Sequence, residues 1–362
     1  MRTEKDRKQG WIKIAVLIVI AILLKILSLF PFFIEHYYSS QLYFFVSSFL
    51  RVLTGIIPFS IGDVFYTGFV VWIMVRLYKT TRATLKRTIT RESFLSSFQR
   101  TLAIVLWIYI LFNVLWGLNY ERLGIAYQLQ LQPERYNAVE LRMLTHELVD
   151  KTNTARKQLG NHPSYPSNKE TFAQAKQAYI AAEKKYPFLH YSSFSVKSSL
   201  YGTFGNYFGF LGYYNPFTGE AQVNVTVPSF IIPFTTCHEM AHQLGYGSED
   251  EANFAGYLAA KSSDKTTFQY SVYFELFAYA NRELFTRDSI TAKENYRLLD
   301  TLVKNDIKVY RKFIMKHQNK IEPVISMLYG EYLKANNQPK GINTYNEVVA
   351  WLIAYREKYG EL

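Results

Sequence analysis

The first third of the chain contains apolar runs that are long enough to cross a lipid bilayer. The clearest covers about residues 11–33 (WIKIAVLIVIAILLKILSLFPFF), and two more cover about 61–78 and 101–118. A membrane helix needs roughly 20 predominantly apolar residues, so these runs predict three transmembrane helices. The first run exceeds the apolar core of a secretory signal, and no small-residue cleavage site follows it, which favours an uncleaved helix.

A fourth apolar stretch, residues 41–59, is interrupted by Arg51 and Pro58. These interruptions favour an interfacial or re-entrant piece over a full crossing. Ser60 and Asp63 follow at the start of the second span, where a helix N-cap and a first-turn carboxylate belong. We therefore expect Asp63 at an interface and not in the middle of the membrane.

Positive charge is concentrated beside these spans. The chain carries a net charge of +12, and residues 1–119, with 14 Lys/Arg and 5 Asp/Glu, account for +9 of it. Basic residues stay on the cytoplasmic side of a membrane, so three crossings would place everything after residue 120 on the outer face. A stripe of basic and aromatic residues, typical of nucleic-acid binding, does not occur after the spans. The basic residues concerned are Arg2, Lys5, Arg7 and Lys8 before the first span, and Arg76, Lys79, Arg82, Lys86, Arg87, Arg91 and Arg100 around the loop between the second and third.

The remainder of the chain, residues 120–362, contains no run apolar and long enough to span a bilayer. We therefore divide the chain into a membrane domain (1–119) and a globular domain (120–362). Helical spacing of apolar residues predicts helices over 137–159, which ends at a glycine, and over 167–186. From Glu249 to about Arg356 the chain is predicted to be almost wholly helical.

The segment between these helical regions has a different texture. Residues 192–224 are rich in glycine and aromatic residues, which predicts turns and short strands. Val223, Val225 and Val227 alternate with polar residues, as in a half-buried strand. The fold class is therefore mainly α with a small β element. The single cysteine, Cys237, excludes an intrachain disulfide.

The most informative motif lies in residues 237–254, which read CHEMAHQLGYGSEDEANF. His238 and His242 are four residues apart, so both imidazoles project from one face of a helix and can bind one metal ion. Glu239 would then lie beside the metal and take a proton from the attacking water. A simpler interpretation is that Thr236-x-x-Glu239 forms a helix capping box and that the histidines are ordinary structural residues.

A catalytic zinc site needs a third protein ligand. Glu249, Asp250, Glu251 and Asn253 follow the two histidines after a glycine-containing turn. Glu249 and Glu251 are two residues apart and do not share a helix face, so only one of them is expected to bind the metal. The other acids would stabilise the first turn of a helix, with Ser248 as its N-cap. Two imidazoles and a carboxylate favour zinc, one ion per chain.

The HExxH motif followed by EDEAN resembles the gluzincin class of metallopeptidases. That resemblance implies that Glu249 is the third ligand and that Asn253 orients a histidine ligand. The gap of six residues between His242 and Glu249 is shorter than in common gluzincins. This departure keeps Glu251 as an alternative ligand.

The wider layout is similar to one bacterial family, domain of unknown function 3810, a set of predicted membrane metallopeptidases. The likeness rests on the N-terminal spans, NPFTGEA at residues 215–221, PFT at 233–235, and the HExAHQxG and EDEANF segments. It covers nearly the whole chain. It implies a zincin-like α+β domain on a multi-pass protein of the bacterial inner membrane, and it names no substrate.

The residues around the motif suggest how a substrate would bind. In zincins a strand beside the metal-binding helix pairs with an extended substrate, and our candidate edge strand is Val223, Asn224 and Val225, extending to Val227. A core strand is the equal alternative. Three tyrosines are candidate donors to the oxyanion of a transition state, Tyr213, Tyr214 and Tyr246. Cys237 is expected to pack and not to bind metal, because it points about 100° away from His238 on the helix.

Three functions are compatible with these residues. The first is a zinc metallopeptidase that acts on peptides or proteins outside the membrane, with membrane lipid as its surroundings. The second is a zinc amidase that acts on envelope material, and the third is a non-catalytic metal-binding sensor or scaffold. Intramembrane proteolysis is disfavoured because the motif lies in a segment too polar to span the bilayer.

Overall fold

The structure is a computed structural model that describes residues 4–132, 136–339, 341 and 347–362. The described chain is mainly helical and contains one small three-stranded sheet. Arg2, and residues 342–346 of the C-terminal segment that we predict to be helical, lie outside the described residues.

The N-terminal part consists of five α-helices, two of them joined by a stretch of π-helix. Three are long and apolar enough to cross a membrane: Arg7–Leu27, Ile61–Leu85 and Arg91–Leu115, of 21, 25 and 25 residues. The three predicted spans are therefore confirmed as helices of this kind. The bounds are Glu4–Leu27 (α1), Pro31–Phe33 (α2), Ile34–Leu42 (π-helix), Tyr43–Gly55 (α3), Ile61–Leu85 (α4) and Arg91–Leu115 (α5).

The first helix ends earlier than the apolar run suggests. The predicted span continues to residue 33, whereas α1 ends at Leu27 and a new helix starts at Pro31. Proline has no amide hydrogen to donate, so it begins a helix more readily than it continues one. The third predicted span corresponds to α5, which begins ten residues before the predicted start because Thr90 forms a capping box with Ser93.

The helix α3 shows a reversed amphipathic pattern. Its polar residues face the protein, and four of its large apolar residues face outward, where they are 49–70% exposed. A water-facing helix shows the opposite pattern. The prediction of an interfacial piece over 41–59 is consistent with this arrangement. The buried residues include Ser47, Arg51 and Thr54, and the exposed ones include Phe45, Phe49, Val52 and Leu53.

The contacts of the three spans show which of their ends lie near the globular part. The start of α5 lies beside the start of α1, since the Gln99 side chain donates to the Arg7 carbonyl at 3.3 Å. The start of α4 instead contacts the sheet, where Glu220 accepts from the Gly62 amide at 2.5 Å. The basic end of α4, at Leu85, therefore lies about 35 Å along the helix from that contact. This is the arrangement expected of three crossings with the globular part on one side.

The globular part is built around helices that pack on a small sheet. The predicted helices over 137–159 and 167–186 are α7 and α8, and both begin with a capping box. Their bounds and those of the other helices are Gly124–Leu129 (α6), Ala138–Gln158 (α7), Asn168–Glu183 (α8), Gly202–Phe208 (α9), Ile232–Gln243 (α10), Glu249–Lys261 (α11), Thr266–Arg287 (α12), Ser289–Leu298 (α13), Thr301–His317 (α14), Glu322–Ala335 (α15) and Val348–Tyr359 (α16). Single 3-10 turns lie at Gly117–Glu121 and Pro187–Leu189.

The sheet has the strand order β1–β3–β2, with bounds Val196–Ser198 (β1), Gly212–Asn215 (β2) and Glu220–Val223 (β3). Strand β3 pairs in parallel with β1 and antiparallel with β2. The predicted edge strand is therefore wrong: β3 is central and ends at Val223, so Asn224 and Val225 lie beyond it. The alternation of valines misled because Asn224 uses its side chain to accept from the Thr226 amide in a turn, at 3.0 Å.

Candidate metal centre

The helix α10 carries the two histidines and Glu239. It begins at Ile232, ten residues before His242, with Pro233 in its first turn, and every residue of the helix is buried. Thr236 lies inside this helix and donates its hydroxyl to the Ile232 carbonyl at 2.7 Å. The capping-box interpretation is therefore wrong, because neither Thr236 nor Glu239 lies at a helix start.

Glu249 meets the two histidines from the next helix. After α10 the chain turns at Gly245, whose φ of +86° favours glycine, and α11 starts at Glu249. The Glu249 Oε2 atom lies 3.2 Å from Nε2 of His238 and 3.6 Å from Nε2 of His242. Ligand atoms of these three buried residues all lie within 4.8 Å of one another. This group, which we call the metal group, could hold a metal ion.

The other nitrogen of each imidazole is held by a hydrogen-bond acceptor. His242 Nδ1 lies 2.7 Å from the Tyr246 carbonyl oxygen, which can only accept, so Nδ1 carries the hydrogen. His238 Nδ1 lies 2.9 Å from Oδ1 of Asn253. Both Nε2 atoms are thereby left to face Glu249. Asn253 takes the place that the family resemblance implies, as an orienting group for a histidine.

The second oxygen of Glu249 is held by a residue that sequence reasoning missed. The Tyr329 hydroxyl, on α15, donates to Glu249 Oε1 at 2.6 Å. The Glu249 amide donates to the Gln338 side chain at 3.2 Å, whereas the Ser248 side chain forms no capping bond. Tyr329 lies 80 residues after Glu249 in a helix with no recognisable motif. Only the tertiary fold brings the two together.

Glu251 points to a different environment. Its Oε1 atom accepts from the Ile125 amide at 2.8 Å and lies against Gly124. A Cβ atom on Gly124, which has a φ of +68°, would lie 1.7 Å from that oxygen. Burial raises the pKa of Glu251 to about 7. The structure therefore places Glu249, and not the alternative Glu251, with the histidines.

The side chain of Glu239 extends over the sheet. A Cβ atom on Gly212 of β2 would lie 2.5 Å from Glu239 Oε1, so the absence of a side chain at Gly212 makes room for the carboxylate. Among the described residues, the buried Oε2 atom of Glu239 has no hydrogen-bond partner. Burial raises the pKa of Glu239 to about 7, against the opposing effect of His238 and His242. A carboxylate with such a pKa can accept and release a proton near neutral pH.

The charges of the three grouped residues depend on one another. Burial opposes the ionisation of Glu249, but the two histidines hold its pKa well below the usual range. Burial alone would lower the pKa of His242, yet Glu249 raises it to about 9. Glu249 is therefore ionised. A metal ion bound by the three residues would displace the proton of His242, because an imidazole ligand must be neutral.

Close contact between the backbones of α10 and α11 fixes these distances. Gly256, two turns into α11, faces His238: a Cβ atom there would lie 3.1 Å from the His238 amide nitrogen and 3.2 Å from its Cα. The glycine lets the helix that carries Glu249 and Asn253 approach the helix that carries the histidine. The sequence alone does not single out Gly256, because a glycine inside a helical pattern has many possible causes.

The C-terminal end of α10 is held by side chains from the membrane-proximal part. Trp116 donates to the His242 carbonyl at 3.2 Å, and Tyr43 donates to the Gln243 carbonyl at 3.2 Å. Arg51, which is 1% exposed, donates to the same Gln243 carbonyl at 2.6 Å. Unpaired carbonyls and the negative end of the helix dipole both favour such donors. Residues before 120 thus help to position the histidine helix.

The group of three lies in the wall of a large cavity. Its volume is about 900 Å³, and Glu239 and Asn253 also line it. Most of the wall is aromatic or aliphatic, with a few polar groups such as Glu275 and Arg282. Binding sites for organic ligands combine an apolar wall with a few convergent polar groups in this way.

The comparisons with known proteins give one positive result. A family model described as "Protein of unknown function (DUF3810)" matches residues 38–353, which is most of the chain. The chain belongs to this family. The resemblance to domain of unknown function 3810 is therefore confirmed, and the match begins after the first span and includes both helices of the metal group. No curated protein and no solved structure matches the chain.

The three tyrosines that we predict as oxyanion donors in this DUF3810 member form hydrogen bonds with residues outside the metal group. Tyr213 donates its hydroxyl to Asp63, Tyr214 pairs with the Tyr43 hydroxyl at 3.2 Å, and Tyr246 donates to Gln128 at 2.8 Å. The three hydroxyls therefore form hydrogen bonds that hold the fold together around the site, and Tyr213 and Tyr214 also line the cavity. Burial raises the pKa of the Cys237 thiol, which is fully buried, as expected for a packing residue.

Asp63 lies where α4 meets the globular part. It is fully buried and accepts from the Leu200 amide at 2.6 Å as well as from Tyr213. Its own amide donates to Ser60, the N-cap of α4, at 3.0 Å. Asp63 therefore ties the second span to the loop that lines the cavity.

Proposed function

We propose that this protein is a membrane-anchored, zinc-dependent metallopeptidase with a zincin-like globular part. His238, His242 and Glu249 hold one zinc ion, and Glu239 is the general base. The observation that carries the proposal is that three buried side chains with metal-binding atoms converge from α10 and α11. Glu239 lies on α10 with the two histidines and faces the same cavity.

The donor set supports zinc. Two imidazole nitrogens and one carboxylate oxygen form a three-ligand set that leaves one position open, as in catalytic zinc sites. Among the described residues, the buried Oε2 atom of Glu249 has no well-oriented hydrogen bond, although it lies close to both Nε2 atoms. An oxygen so placed is ready to bind a cation. When bound, the zinc ion supplies Lewis acidity that activates a water molecule and polarises the scissile carbonyl.

Glu239 transfers a proton from the attacking water to the leaving amine. Its carboxylate has an unpartnered oxygen in the described structure and a pKa of about 7, so at neutral pH it can accept a proton from water. The same group can then donate that proton to the leaving amine. Gly212 keeps the space beside the carboxylate open, and no other side chain could stand there without moving Glu239.

Strand β2 replaces the predicted β3 segment as the substrate-binding edge. Leu211 accepts from the Asn224 amide at 2.8 Å on the β3 side. In an antiparallel pair the outward-facing residues alternate, so the backbone groups of Gly212 and Tyr214 face the other side, and both residues line the cavity. Among the described residues no strand pairs with this outer edge. An extended peptide added there would pass next to Glu239.

The membrane topology that we propose is inferred from the distribution of positive charge. The basic ends of the three spans lie in the cytoplasm, and the globular part lies outside the inner membrane of a bacterium. The three long apolar helices support anchoring in a membrane. The substrate is then a peptide or protein on the outer side.

The proposal is tested with the full-length chain in detergent or lipid, because residues before 120 help to hold α10. Zinc content and hydrolysis of a labelled peptide mixture are measured for the wild type and for Glu239→Gln. A matched control is Glu294→Gln, at an exposed glutamate on α13. We expect about one zinc per chain in all three proteins and hydrolysis in the wild type and Glu294→Gln only.

The other outcomes select among the alternatives. Zinc binding with cleavage of non-peptide amides from envelope material, and none of peptides, would replace the peptidase by an amidase. Zinc binding without any hydrolysis would leave the metal-binding scaffold. A chain that does not bind zinc after reconstitution would refute the proposal as a whole.

A further inference from the structure

Two membrane-spanning helices contribute directly to the cavity of the metal group. Tyr66 lies in the second turn of α4, and Phe112 lies three residues before the end of α5. Both residues line the cavity, and both belong to the helices that are long and apolar enough to span a bilayer. Part of the cavity wall therefore lies at the depth of the outer membrane interface.

The metal group lies close to the same level. Trp116 directly follows α5, and its ring centroid is 6.1 Å from that of His242. The histidine is thus separated from the end of a span by a single side chain. A substrate bond held at the metal group would lie within a few ångströms of the membrane surface, where tryptophan side chains are enriched.

An exposed aromatic residue of α4 contacts the wall of the cavity. Helix α5 packs along α1, whereas α4 packs closely on neither of them in the described structure. Phe65 of α4 is 49% exposed, and its ring lies 5.9 Å from that of Phe217, which lines the cavity. The space between α4 and α5, which we call the passage, is therefore bordered by aromatic residues of both helices, Phe65 and Phe112 among them.

Helix α15 lies across this passage. Its first end is tied to α9, where Asn319 donates to the Tyr207 carbonyl at 2.6 Å. Its other end reaches the outer end of α5, where the hydroxyls of Tyr332 and Tyr120 are 3.2 Å apart. One face of α15 lines the cavity through Glu322, Ile325, Ser326, Tyr329 and Tyr332.

The opposite face of α15 is apolar and exposed over the first two turns, before the exposed ion pair of Glu331 and Lys334. Val324, Met327 and Leu328 are 51%, 60% and 61% exposed. A helix that faced water there would carry polar residues, whereas a helix that lies in the membrane interface buries such a face in lipid. Helix α3, which contacts α5, also has an outward apolar face, as expected for a helix in the membrane interface.

We propose that the cavity takes its substrate from the membrane: a peptide segment next to a lipid anchor, with the acyl chain held between α4 and α5 under α15. The peptide segment lies along the outer edge of β2, and the bond beside the anchor reaches the metal group. The cleavage step rests on the proposed function, whereas the placement of the anchored ligand rests on the cavity alone.

The test uses single cysteines in the full-length chain, because the native Cys237 is fully buried and does not compete for labelling. Met327→Cys on the outer face of α15 carries an environment-sensitive dye in vesicles whose phospholipid acyl chains are brominated. Ile290→Cys on α13, also exposed (71%), is the control. A face buried roughly 5–10 Å into the interface should be quenched by the bromine atoms, and the dye at residue 290 should not.

The substrate class is tested by protection from labelling. Phe112→Cys, in the cavity wall, and Val105→Cys, which is lipid-facing on the same helix, are introduced into the Glu239→Gln background and modified with maleimide. The competitor is a mixed-sequence peptide pool with or without a palmitoyl chain. At a concentration of about four times its dissociation constant, a ligand slows labelling about fivefold. We expect that slowing at residue 112 with the palmitoyl peptides only, and no slowing at residue 105.

Each result decides one point. Equal quenching at residues 327 and 290 overturns the membrane placement of α15. Equal protection of residue 112 by both peptide pools, or by neither, overturns the anchored substrate. Protection without hydrolysis by the wild type would refute the peptidase and retain the anchored ligand, so the two proposals fail separately.

Discussion

The close contact between α10 and α11 makes Gly256→Ala a sensitive test of how the metal group is built. The added Cβ would lie 3.1–3.3 Å from backbone atoms of His238 and Cys237, which is closer than ordinary van der Waals contact. Those atoms belong to a helix and cannot rotate away as a side chain would. The two helices must therefore move apart by a few tenths of an ångström, and Glu249 and Asn253 move away from His238.

Two opposing effects set the change in stability. Alanine is favoured over glycine inside a helix by about 1 kcal/mol, whereas overpacking a tight contact costs about 1–3 kcal/mol. The net destabilisation is therefore about 0–2 kcal/mol. The zinc affinity responds more strongly, because displacing a ligand or the group that orients it typically costs 10–100-fold in metal affinity.

The assay is zinc affinity by chelator competition, alongside the thermal unfolding midpoint of the metal-free protein. Gly68→Ala in α4 is the matched control, since no atom lies within 4 Å of the site of its Cβ. We expect at least a tenfold loss of zinc affinity for Gly256→Ala and none for Gly68→Ala. A Gly256→Ala protein that binds zinc as tightly as the wild type and unfolds at a higher temperature would refute the reasoning.

Three further predictions concern neighbouring residues. Glu249→Gln should weaken zinc binding by at least about tenfold, whereas Glu251→Gln should leave it within about twofold, as measured by the same competition; equal losses would contradict the ligand assignment. Arg51→Met should destabilise the protein by about 2 kcal/mol in thermal unfolding, because the Gln243 carbonyl loses a charged donor; an unchanged midpoint would contradict this. Burial raises the pKa of Glu275 to about 7, so the folded state keeps a proton that the unfolded state releases above about pH 4.5, and stability falls as the pH rises to 7. Glu275→Gln should therefore raise the stability of the metal-free protein by up to about 3 kcal/mol at pH 8 and hardly at all at pH 4.5, and an equal gain at both pH values would refute it.

The parts of the site that follow from spacing were predictable from the sequence. His238 and His242 share a helix face because four residues make about one turn, and Glu239 follows from the same motif. The Glu249 and Asn253 positions came from the family resemblance, and the structure places both beside the histidines. The long apolar runs also predicted the three long helices.

The parts that depend on distant contacts were not predictable in this way. Tyr329 reaches Glu249 from a separate helix, and Arg51 reaches the end of α10 from the membrane-proximal part. The valine alternation beyond Val223 suggested a longer strand, but Asn224 forms a local turn instead. Periodicity describes which face is apolar, and it does not describe which element pairs with which.

The involvement of Arg51, Tyr43 and Trp116 at the end of α10 has a practical consequence. A fragment that starts at residue 120 lacks all three donors, so the last turn of the histidine helix would lose its capping groups. We expect such a fragment to bind zinc more weakly than the full-length chain. The N-terminal part thus helps to hold the histidine helix in place.

The most direct test of the central claim is hydrolysis of peptide bonds in water enriched in ¹⁸O. Zinc-loaded, full-length wild type and Glu239→Gln are incubated with a mixture of palmitoylated peptides in lipid vesicles, and the products are analysed by mass spectrometry. The proposed function predicts new carboxyl termini that carry ¹⁸O with the wild type and none with Glu239→Gln at equal zinc content. The absence of new termini with both proteins, or equal amounts with both, would contradict it.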